Sequence, residues 1–479
     1  MERITQLSFF ICLSVSTCSF ATTWTVDDDG KADFSNIQSA IDASEDGDYI
    51  SVQSGVYYES INFDGKAITV EGVDVENTII DASFTGGAVV TFENGETNFS
   101  VLSKFWIRGG SGNFWTDPIF GSLPFGGGIF CDQSSPLIQL CNITDNSAWG
   151  GGGLFATECD PFILFSNFRN NDAKGHGGGM YLIDQVNAII DSCEVTNNSA
   201  SWGGGMTCTV SSDPHILNSS FSENITYNVG GGIFIRSSSS PIVISTEFNN
   251  NIQISNPLGS GGGVCIYGSG NGGGPCFPAF TDCTFASNSV QGDGGGLAAA
   301  YDSHPKVTNC TFEQNHAGRS GGGLACVADP DHVYTSTADI QNCLISGNSA
   351  EEEGGGIHVR YSDPMISNTT VTQNSAGTTG GGINFFDSPD SRLTNTVICA
   401  NTPNQIIGAY ANGGGNTIAD VCSDCEGDVN GDGVVNVVDL LAVVGVWGAC
   451  DGCSEDLDGN GLVNVTDLLI VVGNWGSCQ

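Results

Sequence analysis

The stretch Gly177-Gly178-Gly179-Met180, with Ile190, Cys193, Val195 and Asn198 downstream, holds the unit from which this chain is built. Gly-Gly-Gly recurs in the same register from positions 126, 151, 177, 203, 230, 261, 294, 321, 354 and 380. The mean spacing is about 28 residues, a period of stacked-coil architectures. An apolar residue follows each triplet, from Ile129 and Leu154 to Ile357 and Ile383. Further columns follow in every copy. An apolar position (Ile138, Ile190, Phe280, Leu393) is followed three residues on by a small one (Cys141, Ser166, Cys193, Thr396), and two further on by Ile143, Phe168, Val195 and their equivalents. Three beyond that, Asn stands in all ten copies: Asn146, Asn171, Asn198, Asn224, Asn251, Asn288, Asn315, Asn348, Asn374 and Asn401.

Short alternating segments of strand length, separated by Gly- and Asn-rich corners and without helical periodicity, predict stacked β-coils. One coil cannot bury its own inward side chains. Stacked coils place like residues above one another at roughly 4.8 Å, closing aliphatic columns into a core. An inward Asn column can then hydrogen-bond along the axis as an amide ladder. The expected fold is all-β, a parallel β-helix. Before it, Phe34, Ile37, Ala40 and Ile41 form one face of a short helix, with Ser35-x-x-Gln38 as its capping box. That helix is expected to cover the open first coil. Strands are expected at 49–52, 67–70 and 78–80.

The chain has 479 residues, with 12 Lys+Arg against 53 Asp+Glu and a net charge of −41. That balance argues against nucleic acid or an anionic membrane as partner, because both demand clustered cations. Arg3, the apolar run 7–20 and Ser19-Phe20-Ala21 read as a secretory leader over 1–21, too short to span a bilayer. No other stretch reads as a transmembrane segment. The expected location is extracellular or at the cell surface, where disulfides persist.

The pairing of Gly-Gly-Gly-aliphatic with Phe-x-x-Asn, as in Phe168 to Asn171 and Phe312 to Asn315, resembles the repeats of polymorphic outer-membrane proteins. That resemblance implies a secreted β-helix surface protein or adhesin. Residues 22–125 resemble the start of right-handed, pectin-lyase-like β-helices, which implies polysaccharide recognition or breakdown. Gly55-Val56-Tyr57-Tyr58-Glu59 resembles an early motif of pectinesterase-type chains, but that family's later catalytic Asp and Arg motifs are missing. Gly175-His176-Gly177 is similar to a polygalacturonase motif without its companions, so His176 is read as a corner residue.

From Cys425 a duplication of period 28 runs to the end, mapping Asp428 onto Asp456 and Trp447 onto Trp475. The first copy offers Asp428, Asn430, Asp432, the Val434 carbonyl, Asn436 and Asp439; the second offers Asp456, Asp458, Asn460, the Leu462 carbonyl, Asn464 and Asp467. Oxygen donors at this spacing, with Gly at the sixth position, suit a hard cation. Two Ca2+ ions in EF-hand-like loops are expected, each followed by a helix over 440–447 or 468–475. This part resembles a type I dockerin, which implies attachment to a cohesin-like or cell-surface protein. It departs from that pattern at Val437-Val438 and Val465-Thr466, and no Lys or Arg follows Arg392. The expected division is a leader 1–21, a cap and first coils 22–125, ten coils 126–410, a linker 411–424 and the dockerin-like domain 425–479. One disulfide per half of the tail is preferred, with Cys422 left over; a pattern joining the halves is the alternative. Cys283, Cys310 and Cys343 are read as buried small apolar residues.

The best chemical constellation is His304, His332 and His358 in three consecutive coils, with Asp302, Asp329, Asp331, Arg360 and Asp363 in the same stretches. A lyase needs a cation to neutralise a uronate and a base to take its ring proton, whereas an O-glycosyl hydrolase needs two carboxyls. The cluster suits either, and solvated corner residues are the plainer reading. Surplus residues at 267–278 and 329–337 must leave the cylinder as loops. The segment 109–125 brings Phe114, Trp115, Phe120 and Phe125, and with Trp149 and Trp202 it offers aromatic faces for sugar stacking or for packing. The expected function is extracellular polysaccharide recognition or degradation. The alternative is a non-catalytic adhesin or surface-structural protein.

Overall fold

The computed structural model describes residues 21–117, 121–269, 273–328, 336–422, 427–430, 434–450 and 453–477. One coil shows the plan. Met180–Ile183, Ile189–Asp191, Glu194–Thr196 and Ser199–Trp202 each pair in parallel with the equivalent strand one coil on. They belong to four long sheets, called here sheets 1 to 4 in that order, of 13, 15, 14 and 9 strands among the described residues. The architecture is a right-handed parallel β-helix.

Three recurring devices turn the chain at its corners. Ser192 and Asn197 take left-handed backbone angles (φ 56° and 55°) between sheets 2 and 3 and between sheets 3 and 4, a conformation that small polar residues tolerate. At the triplet corner the three glycines differ in purpose. Gly177 has φ 60°, whereas a Cβ on Gly178 would stand 2.4 Å from the Gly204 oxygen and one on Gly179 2.6 Å from the Gly205 oxygen. Only the first glycine answers to positive φ; the other two let adjacent coils meet backbone to backbone.

Inside, the Asn column is buried as expected. The Asn198 backbone N–H and side-chain Nδ2 both donate to Asn224 Oδ1 at 3.0 Å, and Nδ2 also donates to the Phe168 carbonyl at 2.9 Å. The pattern repeats to Asn401, whose Nδ2 donates to Gln405 Oε1 at 2.9 Å. At the other end the Gly110 N–H donates to Asn146 Oδ1 at 3.0 Å. Phe221, Phe248, Phe285 and Phe312 stack beside it at 5.4, 4.8 and 4.5 Å. The described cysteines of the coils from Cys131 to Cys343, Cys283 and Cys310 included, are free and buried.

Several expectations need correction. The helix α1 spans Ile37–Ala43, but its N-cap is Asn36, whose side chain accepts from Ser39 N; the Ile37 and Gln38 N–H groups go to Glu59 instead. The strand expected at 67–70 lies at Thr69–Gly72. The segment 411–424, read as a linker, carries strands Ala411–Asn412 and Thr417–Ala419, which pair with the last full coil. Cys422 is not left over: it is bonded to Cys399. In the tail, Cys450 is bonded to Cys453, so this bridge joins the two halves, and Cys425 and Cys478 lie outside the described residues. Among the described residues no helix is long and apolar enough to cross a membrane.

Candidate functional site

Strands of sheet 1 alternate, so the residue after the first inward aliphatic faces outward. Register stacks these as Phe130, Phe155, Tyr181, Thr207, Phe234, Cys265, Ala298, Ala325, His358 and Asn384. The row changes character along the axis, from aromatic through small to polar.

Over the first coils the antiparallel hairpin Asn113–Asp117 and Gly121–Phe125 covers this face. Trp115 meets Phe125 at 5.3 Å and Phe155 at 5.2 Å, and Trp149 meets Phe125 at 5.4 Å. These rings form a second, external core, so packing accounts for Trp115, Phe125 and Trp149, while Phe114 is 77% exposed. Phe120 lies outside the described residues. His176 closes the cluster, stacked on Trp202 at 4.8 Å and Tyr181 at 5.2 Å, and its buried Nδ1 has no hydrogen-bond partner. It is a buried aromatic partner in this cluster.

Burial, aided by Arg236, lowers the His176 pKa to about 3. Between that value and the ordinary 6.5 the unfolded chain binds a proton that the native ring refuses, so stability falls as pH drops through this window. Replacing His176 by Phe keeps the stack and removes the titration. We expect the variant to gain about 2 kcal/mol over the parent at pH 5 and little at pH 7, as read from acid unfolding followed by circular dichroism. Parallel acid limbs for the two proteins would refute this account.

Toward the other end, a surface cavity of about 440 Å³ opens where the row turns polar. Its lining includes Arg319, Glu352, Glu353, His358, Arg360 and the rings of Tyr301, Tyr361 and Phe386. Tyr361 and Phe386 meet edge to face at 5.6 Å. His358 is 3% exposed, with Nδ1 3.8 Å from Glu353 Oε2. Its Nδ1 and Arg360 Nε are buried without hydrogen-bond partners, which is costly for polar groups. Burial, then Arg360 and Arg319, lower the His358 pKa to about 3, so the ring is neutral at pH 7. Behind the cavity Arg319 reaches Asp293 at 3.4 Å, yet burial outweighs both arginines and raises the Asp293 pKa.

Of the eight residues in that constellation, five are described, and among these the structure brings only His358 and Arg360 into this cavity. His304 stands apart: Nε2 is 3.0 Å from Asp302 Oδ1, Nδ1 is 2.7 Å from Thr337 Oγ1, and the ring stacks on Phe277 at 5.0 Å. Asp363 accepts the Asp390 N–H at 3.2 Å on a neighbouring corner. The reason is register: His358 is four residues past the start of its triplet and on a strand, whereas His304 is ten past its own and outside any strand. His332, Asp329 and Asp331 lie outside the described residues. Arg319, Glu352 and Glu353 were missed, although their places one or two residues before triplets put them beside the outward row.

The family described as right handed beta helix region matches residues 127–334 and 224–436, which together exceed half of the chain. The chain belongs to this β-helix family. No curated protein matches the sequence. Similar solved structures include the A-module of a mannuronan C-5 epimerase from Azotobacter vinelandii, 13% identical over 80% of this chain and 94% of that one, with a TM-score of 0.28. A family 28 exopolygalacturonase from Yersinia enterocolitica is 10% identical over 84% and 80%, with a TM-score of 0.34. A pectin methylesterase from carrot is 12% identical over 85% and 90%, with a TM-score of 0.19.

The tail of this β-helix protein carries α2 (Val437–Gly445) and α3 (Val465–Gly473), each beginning earlier than expected. Asn436 and Asn464 are the N-caps, and Asp439 and Asp467 close capping boxes from the third helical position rather than opening the helices. In the second loop, ligand atoms of Asp456, Asp458 and Asp467 lie within 4.8 Å of one another. Asp456 also accepts the Asn460 and Gly461 N–H groups at 3.1 and 2.7 Å, which folds the loop around that point. This donor set, all oxygen with three carboxylates, fits a hard cation. In the first loop Asp439 holds the Val429, Asn430 and Asn436 N–H groups in the same way, and Asp432 lies outside the described residues. Val435, Val443, Val463 and Val471 form the tail's small core, while Leu441 and Leu469 are about 60% exposed, at 61% and 59%.

Proposed function

We propose that the protein acts outside the cell and binds an acidic saccharide chain in the His358 cavity. The observation that supports this is the pairing of two guanidiniums with stacking rings, in a chain that has only 12 cations in all. Arg319 and Arg360 suit a carboxylate or sulfate substituent, and Tyr361 with Phe386 suits the apolar face of a sugar ring. The cavity volume is that of a small-ligand site. Secretion is supported by the leader-like residues 1–21 and by the Cys399–Cys422 bridge.

Degradation is the second reading, by β-elimination. There the arginines neutralise the uronate carboxylate, His358 takes the ring proton beside it, and the glycosidic oxygen takes a proton from solvent and leaves as an alcohol while a double bond forms in the ring. A ring pushed to a pKa of about 3 is a weak base, which favours binding without turnover. In the tail, the proposal is two Ca2+ ions held by Asp428, Asn430, Asp432, Val434, Asn436 and Asp439, and by Asp456, Asp458, Asn460, Leu462, Asn464 and Asp467. Its exposed helix faces, with Val437, Leu441 and Trp447 repeated as Val465, Leu469 and Trp475, are the proposed attachment surface for a cohesin-like or cell-surface protein.

The test is polygalacturonate binding by affinity electrophoresis, with absorbance of unsaturated uronate scored in the same samples. We expect His358→Ala with Arg360→Ala to weaken binding at least tenfold, since a charge-assisted contact is worth roughly 1.5–3 kcal/mol. A double variant that binds like the parent would overturn the cavity as the site. Absorbance growth in the parent, lost in the double variant, would replace binding by elimination.

A further inference from the structure

A second cavity lies on another face, over the first coils of sheet 3. Register there stacks Trp106, Asn142 and Asn167 in one outward column and Arg108, Thr144 and Arg169 in the next. Apart from Arg108, these residues line a cavity of about 340 Å³ together with Glu76, Asp145 and Asn170. Nothing in the function proposed above uses it.

Its parts are fixed in advance. The Trp106 indole N–H donates to Thr144 Oγ1 at 2.6 Å, which pins the ring across to the next coil. Arg108 sits 5.7 Å from the ring centroid and is itself held by Asp81 at 2.8 Å, so it braces the indole as a neutralised pair. Asn167 Nδ2 donates to Asn142 Oδ1 at 2.9 Å, which leaves the Asn142 amide hydrogens and the Asn167 oxygen for another partner. Of the remaining charges, Arg169 faces the same space as Glu76 and Asp145, one cation against two carboxylates, which leaves the cavity slightly negative. A fixed aromatic ring and amides that both donate and accept match the chemistry of a pyranose, one apolar ring face and a rim of hydroxyls, and the excess carboxylate disfavours an acidic sugar. The coil rise of roughly 4.8 Å also spaces Asn142 and Asn167 at about the length of one sugar unit in an extended glycan.

We infer that this face of sheet 3 is a second saccharide site, selective for neutral pyranose units and independent of the His358 cavity. It would hold an uncharged stretch of a glycan while the arginine-lined cavity takes an acidic one. The ring face lies on Trp106, and the hydroxyls pair with Asn142, Asn167, Asn170 and Arg169.

The test titrates the full chain with soluble galactan and, separately, glucomannan, using tryptophan fluorescence and affinity electrophoresis. We expect the parent to bind at least one of these neutral polymers, Trp106→Ala to lose affinity about tenfold, and Asn167→Ala to lose severalfold with unchanged thermal unfolding. Asn167→Ala also guards against a Trp106→Ala variant that fails to fold. The His358→Ala, Arg360→Ala double variant should bind neutral polymer as the parent does, whatever becomes of its polygalacturonate binding. Three results would overturn the inference: no binding of either neutral polymer, binding that survives both Trp106→Ala and Asn167→Ala, or neutral binding lost only in the double variant.

Discussion

Asn315→Leu should destabilise the β-helix by about 3–5 kcal/mol, far beyond an ordinary surface change. Asn315 Oδ1 is the acceptor for both the Asn288 N–H at 3.0 Å and the Asn288 Nδ2 at 2.9 Å. Its own Nδ2 donates to the Phe285 carbonyl at 2.8 Å and to Asn348 Oδ1 at 2.9 Å. Leucine fills a similar volume and supplies none of these bonds. The Asn288 N–H is then orphaned in a site where Asn288, Asn315 and Asn348 are all fully buried, and such a group costs roughly 1–3 kcal/mol. The control is Glu313→Leu, an exposed position on the preceding strand, which should move stability by no more than about 0.5 kcal/mol. Chemical unfolding of both variants decides the matter: equal midpoints would mean that the column does not hold the coils together.

Removing calcium should have the other large effect, confined to the tail. Asp456, Asp458 and Asp467 converge within 4.8 Å, and the segment after Arg392 has no Lys or Arg to offset them. Without a cation their repulsion opposes the fold, so binding energy appears as folding energy. At a free concentration a thousandfold above Kd, each ion would add about 4 kcal/mol to local stability. Calorimetric titration of the chelator-treated full chain should give two ions per chain. Asp456→Ala with Asp467→Ala should leave one, and proteolysis under chelation should nick 425–479 while sparing the coils. Zero stoichiometry in the parent would end the calcium proposal and the dockerin likeness together.

Fold was legible because it is written ten times. The period, the inward columns and the Asn ladder each follow from a side chain meeting its own counterpart one coil away, which sequence alone can register. The corners were less legible. The N-cap fell on Asn36 rather than Ser35 because Glu59, remote in sequence, takes the Ile37 and Gln38 N–H groups. The site was half legible for a related reason. His358 and Arg360 stand out as rare residues, but Arg319, Glu352 and Glu353 become neighbours only when the position before each triplet is laid beside the outward row. His304 was drawn in by proximity in coil count, without regard to its place around the coil. Disulfides were least legible, since Cys399 and Cys422 belong to no repeated column.

The Asn ladder also has a direction. Every rung donates toward the next coil, the first rung receives from Gly110, and the last is absorbed by Gln405. The two end rungs are therefore specialised, while each of the eight interior rungs can be exchanged for any other. Such a stack behaves like a sentence with fixed opening and closing words and a clause that can be repeated. Whole coils can be gained or lost from the middle without leaving one hydrogen bond open, whereas a fraction of a coil cannot. Length, and with it the span of outer surface offered to a ligand, is thus free to vary in steps of about 28 residues, and the same two caps serve every length.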